Sequence, residues 1–201
     1  MNSVNPSHFS LRQEISRKLI HLMGLVLPLG YSQVGRSRGL PLLALATVMV
    51  VTADALRLYW PFAGRVYRRI FGGLTRSGEN SGMTGASYMM VGQVLTAALF
   101  PVPVAIVAMT FGAVGDSAAA IGGRLSGKHL WLRGKSIEGS LACLIACFVA
   151  GTAWAELPLA CVWTGAVVAT LAEALPLRVN DNAIIPVSSG AAMAGLMFLF
   201  M

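Results

Sequence analysis

An all-α bundle of about seven membrane-spanning helices, forming one domain over residues 1–201, is predicted from three features of the sequence. Hydrophobic residues make up 56% of the 201 residues and charged residues only 11%, whereas soluble domains carry about 25% charged residues. The mean hydropathy is +0.70. The apolar residues are gathered in runs of roughly the length that a helix needs to cross the hydrocarbon core of a bilayer.

Seven apolar segments are separated by short polar or proline-containing stretches. Pro101 and Pro103 separate the third segment from the fourth, and Pro158 opens the sixth. Pro186 falls in the first turn of the seventh, where proline is tolerated. The segments cover residues 15–34, 40–58, 86–100, 103–122, 137–154, 158–176 and 184–201.

The net charge of +7 does not indicate a nucleic-acid-binding protein, because the basic residues lie in short gaps between apolar runs. The three cysteines have neither a metal-binding spacing nor the pattern of a disulfide framework. We therefore expect Cys143, Cys147 and Cys161, which all lie within apolar runs, to be small buried residues.

The basic residues also predict an orientation. If the N-terminus is cytoplasmic, thirteen of the 15 Lys and Arg side chains face the cytoplasm, and only Arg36 and Arg38 face outward. Most acidic residues fall at the same side. The expectation is a multi-pass integral membrane protein, in the inner membrane if the source is bacterial, whose active site faces the cytoplasm.

The segment 59–76 differs from the apolar runs. Phe62, Val66 and Ile70 recur at helical spacing, and four arginines lie between and after them. Two interpretations remain open: an amphipathic helix in the membrane interface, or a plain juxtamembrane loop. The arginines are Arg65, Arg68, Arg69 and Arg76.

The stretch GDSAAAIGGRLSGKH places Asp116 within the fourth apolar segment. Ala120, Gly123 and Arg124 follow at helical spacing on the same face. An ionisable residue inside a membrane segment is costly and is usually functional, and a carboxylate of this kind can hold Mg²⁺. The alternative is a packing stripe of small residues with one structural ion pair.

The sequence GGRLSGKH at 122–129 nearly matches a P-loop but ends in His and follows no predicted strand. A glycine-rich turn can still direct backbone N–H groups at phosphate oxygens. Lys135 and Ser136 stand at the start of the fifth helix, whose N-terminus favours anions. Glu138, in its first turn, could bind a metal or orient the lysine.

Two further groups lie at helix ends on the predicted cytoplasmic side. Arg17, Lys18 and His21 can share one helical face, and Asp54 and Arg57 are three residues apart and can pair. Each group alone is a weak signal, because such residues are often structural.

A third polar group precedes the last helix. Asn180, Asp181 and Asn182 follow one another there, and Glu173 adds a carboxylate one helix earlier at the same side. An Asp or Asn at this position is also an ordinary helix N-cap.

In their order along the chain, these motifs resemble the CTP-dependent lipid-alcohol kinases, a family that includes dolichol kinase, phytol kinase and CTP-dependent diacylglycerol kinase. The resemblance covers most of the chain, and its most specific part is the region from Asp116 to Gly139. The motifs are RKLIH at 17–21, ADALR at 53–57, TGASY at 84–88, GDSAAAIGGRLSGKH at 115–129, GKSIEGS at 134–140, and Glu173 with DNAIIP at 181–186.

The resemblance implies transfer of the terminal phosphate of CTP to a polyprenol, phytol or diacylglycerol hydroxyl, with Mg²⁺ as the cofactor. The catalytic residues expected are Asp116, Lys135, Glu138 and Asp181, with Asp116 and Asp181 holding the metal. The nucleotide-binding residues expected are Gly123, Arg124, Gly127, Lys128, Lys135, Ser136 and Gly139. The substrate-binding residues expected are Arg17, Lys18, His21, Asp54, Arg57 and Asn182.

Phosphoryl transfer needs positioning and neutralisation of phosphate charge, which these residue types supply. Either Asp181 or Asp54 could orient the acceptor hydroxyl. The partners expected are a lipid alcohol, a nucleoside triphosphate, membrane lipids and, as an open alternative, a second copy of the chain. A phosphatidate cytidylyltransferase is the alternative enzyme, and a small transporter or scaffold is the alternative without catalysis.

Overall fold

The computed structural model describes residues 11–72, 81–131, 134–154, 156–175 and 179–200. Apart from an isolated bridge between Leu130 and Ser136, these residues form helices and connecting turns, which confirms the all-α prediction. Arg76, Arg133 and Arg178, which the predicted orientation uses, lie outside the described residues. The helices are α1 (Leu11–Leu22), a short 3₁₀ turn (Met23–Leu25), α2 (Val26–Tyr59), α3 (Pro61–Phe71), α4 (Gly85–Leu99), α5 (Val102–Ser126), α6 (Ile137–Thr152), α7 (Leu159–Ala174) and α8 (Asp181–Phe200).

The lengths of the apolar helices fit a membrane helix bundle. Three helical stretches of the described chain are long and apolar enough to cross a membrane, and three shorter apolar helices accompany them. In the described chain, all seven predicted apolar segments coincide with helix. The long stretches are Ile15–Tyr59, Val102–Ser126 and Asp181–Leu199, and the shorter helices are Gly85–Leu99, Ile137–Thr152 and Leu159–Ala174.

Helix α2 is interrupted at Gly35, which has a φ of 71°. This conformation favours glycine because it has no Cβ. The chain reverses its direction at Gly35. Lys18, before the break, and Asp54, after it, line one cavity. Arg36, next to the break, instead donates to the carbonyl oxygens of Phe100 and Ala98 at 3.0 and 2.5 Å. We call the end with this cavity the cavity end and the other the far end.

Helix α5 forms the centre of the bundle. Almost every residue from Val104 to Ala119 is buried, and α5 contacts α6, α8 and α7 on one side and α4, α2 and α1 on the other. Phe111 packs in a core cluster with Met193 of α8, while Met109 packs with Tyr31 of α2. The three cysteines are free and buried, as predicted.

Glycines let the helices approach closely where bulkier residues would collide. A Cβ on Gly139 would lie 2.8 Å from the Ala119 carbonyl oxygen, and one on Gly122 would lie 2.5 Å from the Cβ of Ala142. The small residues after Asp116 therefore form a packing stripe between α5 and α6. At Gly92 in α4, a Cβ would lie 2.8 Å from the Cα of Ala183 at the start of α8.

We predict that Gly92→Ala lowers the free energy of unfolding by about 1–3 kcal/mol, because backbone atoms of α8 must move to admit the methyl group. Thermal unfolding in detergent measures the effect. Gly30→Ala is the matched control, since no atom lies within 4 Å of the position that its methyl group would occupy, and it should be neutral or stabilising. Equal unfolding midpoints for the two variants would contradict the close approach of α4 and α8.

Candidate active site

A cavity of about 470 Å³ opens at the cavity end of the bundle. Polar and charged residues line it together with apolar residues such as Ile20, Val50, Met89 and Phe71. The site residues predicted from the sequence that line it are Arg17, Lys18, His21, Asp54, Arg57, Asp116, Asp181 and Asn182. The fold thus brings all six predicted substrate-binding residues and both predicted metal ligands to one cavity.

The Asp116 carboxylate is held by residues of α1. Lys18 Nζ donates to Asp116 Oδ2 at 2.5 Å, and both residues are buried. His21 Nε2 lies 3.9 Å from the same carboxylate oxygen and 3.1 Å from the carbonyl oxygen of Gly112. The shared face of Arg17, Lys18 and His21 predicted from their spacing therefore points into the cavity, towards the central helix.

Three carboxylates interact electrostatically with Lys135. Its ammonium group pairs with Glu173, which is buried at the end of α7. Burial lowers the pKa of Lys135, but the carboxylates of Glu173, Asp181 and Asp116 outweigh this effect and raise the pKa above its ordinary value. Lys135 is therefore a cation at neutral pH, and it interacts electrostatically with both predicted metal ligands.

Asp181 is the first residue of α8, but Asn180 serves as the cap. The Asn180 side-chain oxygen accepts from the backbone N–H of Asn182 at 3.0 Å, and its carbonyl oxygen accepts from the N–H groups of Ala183 and Ile184. Asp181 Oδ1 accepts from the same Asn182 N–H at 3.0 Å. Because the helix has a cap without it, the Asp181 carboxylate at the cavity is not required for capping.

Asp54, in contrast, is fully engaged in holding the start of α4. Its Oδ1 pairs with Arg57, while its Oδ2 accepts from the Thr84 backbone N–H at 2.7 Å and from the Ser87 hydroxyl at 2.7 Å. Arg57 also donates to the Gly82 carbonyl oxygen at 2.7 Å. The predicted Asp54–Arg57 pair exists, and its contacts join α2 to α4.

The glycine-rich segment lies beside the cavity rather than in its lining. Ser136 caps α6 by accepting from the Gly139 N–H at 3.1 Å, and Glu138 bonds to His129 Nδ1 at 2.7 Å. Arg124 and Lys128 are exposed. The nucleotide-binding role of this segment and the catalytic role of Glu138 stay predictions, and Lys135 is the member that reaches the cavity carboxylates.

Several residues of the site were not singled out by sequence reasoning. Thr84 and Ser87 belong to the TGASY motif, but nothing in the sequence indicates that they satisfy Asp54. Tyr67 and Phe71 of α3 line the cavity, and helical spacing alone assigned no role to them. Glu173 was noted as a carboxylate, but only the fold identifies Lys135 as its partner.

The carboxylates suit a magnesium–phosphate complex better than a metal site made by the protein alone. No group of three or more His, Cys, Asp or Glu side chains that could hold a metal occurs among the described residues. Mg²⁺ is usually held by one or two carboxylates together with phosphate oxygens and water. Asp116 and Asp181, which line the same cavity, match that donor set.

The fold and site together define a membrane helix bundle with a charged cavity at one end. Curated proteins are similar to this chain over most of its length. The chain is 28% identical to CTP-dependent diacylglycerol kinase 1 of Schizosaccharomyces pombe over 97% of both chains. It is 29% identical to CTP-dependent diacylglycerol kinase 1 of Saccharomyces cerevisiae, over 96% of this chain and 76% of that one. It is also 30% identical to an uncharacterised protein of Rickettsia prowazekii, over 87% and 90% of the two chains.

No family model matches the chain. No solved structure matches it either. On the similarity to the curated relatives over most of its length, the chain belongs to the CTP-dependent lipid kinase family.

The buried pair of Lys18 and Asp116 predicts strong energetic coupling. We expect Lys18→Met or Asp116→Asn alone to cost about 3–5 kcal/mol of stability, because each leaves one charge buried without its counter-ion. The double variant should lose less than the sum of the two. Thermal unfolding of the four proteins in detergent measures the coupling, and additive losses would show that the pair is not formed.

Proposed function

We propose that the protein transfers the terminal phosphate of CTP to the hydroxyl group of diacylglycerol, at the cytoplasmic face of the membrane. The observation that carries this proposal is that Asp116 and Asp181 line a cavity together with apolar residues, and that Lys135 interacts electrostatically with both carboxylates. Phosphoryl transfer depends on positioning and on neutralising phosphate charge. A site that combines charged groups with apolar lining residues can hold both reactants.

The charged residues at the cavity would receive the triphosphate. Mg²⁺ held by Asp116 and Asp181 would supply charge neutralisation on the phosphate oxygens when bound. Lys135, kept charged by its carboxylate neighbours, would bind the phosphates directly. Lys18 is paired with Asp116. If the Asp116 carboxylate bound the metal ion, the Lys18 ammonium group could bind a phosphate oxygen instead.

The apolar lining residues would receive the acyl chains of the lipid, with the hydroxyl group directed at the phosphates. Of the two carboxylates that could orient this hydroxyl, we propose Asp181. The Asp54 carboxylate already accepts hydrogen bonds from Arg57, Thr84 and Ser87. Asp181 is at the cavity without an ion-pair partner within 4 Å among the described residues, so it can accept the proton of the hydroxyl.

The exposed side of the bundle end would receive the rest of the nucleotide. Arg124, Lys128 and the turn before α6 lie next to Lys135 along the chain, and their positive charge favours a polyphosphate. The excess of basic residues at this end supports its placement on the cytoplasmic side. We propose diacylglycerol as the acceptor because two relatives that span most of this chain are named as kinases of that lipid.

We predict that Asp181→Asn lowers kcat at least about 100-fold, because a group that binds the metal and the hydroxyl is lost. Purified protein in mixed micelles is given diacylglycerol and CTP labelled at either the γ or the α phosphate. Label should reach the lipid from the γ position only. Glu156→Gln, at an exposed site outside the cavity lining, is the matched control and should keep full activity.

Transfer of α label would instead indicate a cytidylyltransferase. Full turnover by Asp181→Asn would remove its proposed role. Phytol and a polyprenol tested in the same assay establish the acceptor, and faster phosphorylation of either would overturn the choice of diacylglycerol.

We predict that Lys135→Ala raises the KM for CTP about tenfold or more, because a charge-assisted contact to phosphate is lost. The KM for diacylglycerol should change little, since the acyl chains would contact the apolar lining residues and not Lys135. Steady-state kinetics with each substrate varied in turn measure both constants. Arg38→Ala, an exposed cation far along the chain from the site, is the control, and an unchanged KM for CTP in Lys135→Ala would contradict the assignment.

A further inference from the structure

Helix α3 (Pro61–Phe71) presents an apolar stripe that the rest of the described chain does not cover. Phe62, Val66 and Ile70 are 55%, 43% and 64% exposed, and their spacing puts them on one face of the helix. A stripe of this size on an eleven-residue helix requires a cover of apolar material.

Arginines flank the apolar stripe of α3. Arg65, Arg68 and Arg69 are all exposed, the Arg65 guanidinium lies 6.0 Å from the centre of the Phe62 ring, and the helix contains no acidic residue. An apolar face flanked by arginines is the pattern of a helix that lies in the plane of a membrane interface. The structure thus shows a helix where the sequence left open a helix or a loop.

The position of α3 also fits the edge of a bilayer. It follows the apolar helix α2 after a single residue, Trp60. Tyr59 and Trp60 are 87% and 55% exposed, and these residue types are enriched where membrane meets water. The apolar surface of α2, including Val48, is likewise exposed, so one lipid layer can cover both surfaces.

A third side of α3 belongs to the cavity. Tyr67 and Phe71 line it, and their rings are in contact at 5.3 Å between centroids. Arg57 lies 4.6 Å above the Tyr67 ring, and Gly64 packs against the Arg57 carbonyl oxygen. The cavity wall is therefore attached to the same short helix that carries the exposed apolar stripe.

We propose that α3 lies in the headgroup layer of an anionic phospholipid bilayer and forms the side wall past which the lipid acceptor enters the cavity. The apolar stripe is covered by acyl chains, and the three arginines bind anionic headgroups, each adding to the attraction. The entry role rests on the proposed kinase function, whereas the location of α3 in the bilayer does not.

The location is tested without any activity measurement. A single cysteine at position 66 (Val66→Cys) carries a fluorescent label, since the native cysteines are buried. The protein is reconstituted into phosphatidylcholine vesicles that contain brominated acyl chains and a graded fraction of phosphatidylglycerol. We expect bromine quenching of this label to increase with the phosphatidylglycerol fraction.

Two variants serve as references. A label at Val48→Cys, on the exposed surface of α2, should be quenched equally at every lipid composition. Replacing Arg65, Arg68 and Arg69 with Gln should raise the phosphatidylglycerol fraction at half-maximal quenching by roughly threefold or more. A label at position 66 that is not quenched, or whose quenching ignores both headgroup charge and the arginines, overturns the proposal.

The entry role is tested by kinetics in the same vesicles. The triple Gln variant should have a higher KM for diacylglycerol and an unchanged KM for CTP, and unchanged values of both would overturn the entry role. Charge-dependent quenching in a wild-type protein that phosphorylates no lipid would leave the bilayer location of α3 intact and reject the proposed function instead.

Discussion

The burial of one carboxylate, Asp116, in the central helix constrains the whole cavity end of the bundle. An isolated charge in apolar surroundings is prohibitively costly, so α5 needs a counter-ion, and Lys18 of α1 provides it at 2.5 Å. The same requirement recurs at α7, where buried Glu173 pairs with Lys135. Because each pair joins different parts of the chain, neutralising the acids also positions the helix ends around one cavity. The need to neutralise the buried carboxylates therefore also determines how the helices are arranged at this end of the bundle.

Close helix packing and polar contacts both shape the cavity. Glycines between α5 and α6 and between α4 and α8 bring backbones together, and the cavity is lined by α1, α2 and α3 together with Asp116 of α5 and the starts of α4 and α8. Asp54 holds the start of α4 through Thr84 and Ser87. The Asp181 carboxylate, in contrast, is not needed to cap α8, because Asn180 is the cap. A ligand would therefore meet a site in which Asp54 is already hydrogen-bonded and the Asp181 carboxylate is available to bind it.

The sequence predicted the fold well because apolar runs of membrane length leave few alternatives, and each run became helix. Eight of the predicted site residues line the cavity, whereas Glu138 and the predicted nucleotide-binding residues are not among its lining residues. The sequence could not predict which partner each charge takes. Lys135 could have paired with nearby Glu138, yet Glu138 bonds to His129 and Lys135 to Glu173, a residue distant in sequence. Such choices depend on helix rotation and tilt, which residue spacing does not encode.

Residue spacing likewise could not predict how α3 packs or what the glycines of α5 and α6 contact. The spacing of Phe62, Val66 and Ile70 was compatible with a helix, but only the packing of Gly64 against Arg57 shows that this helix closes one side of the cavity. Likewise, a glycine-rich stretch after a carboxylate suits either phosphate binding or close helix packing. In this fold Gly122 and Gly139 allow α5 and α6 to approach closely, which only the position of α6 shows, and the phosphate-binding role of the stretch stays a prediction.

The reversal at Gly35 has a mechanical consequence. Immediately after it, Arg36 donates to the carbonyl oxygens of Ala98 and Phe100 around the end of α4, and the Tyr31 hydroxyl donates to the Ala97 carbonyl oxygen. These bonds attach the helical hairpin formed by the chain before and after Gly35 to α4 at the far end of the bundle. The two arms are held at the cavity end as well, by Lys18 on Asp116 and by Asp54 on Thr84 and Ser87. Because the hairpin is held at both ends, these contacts fix its distance from α4 and α5 and with it the size of the cavity.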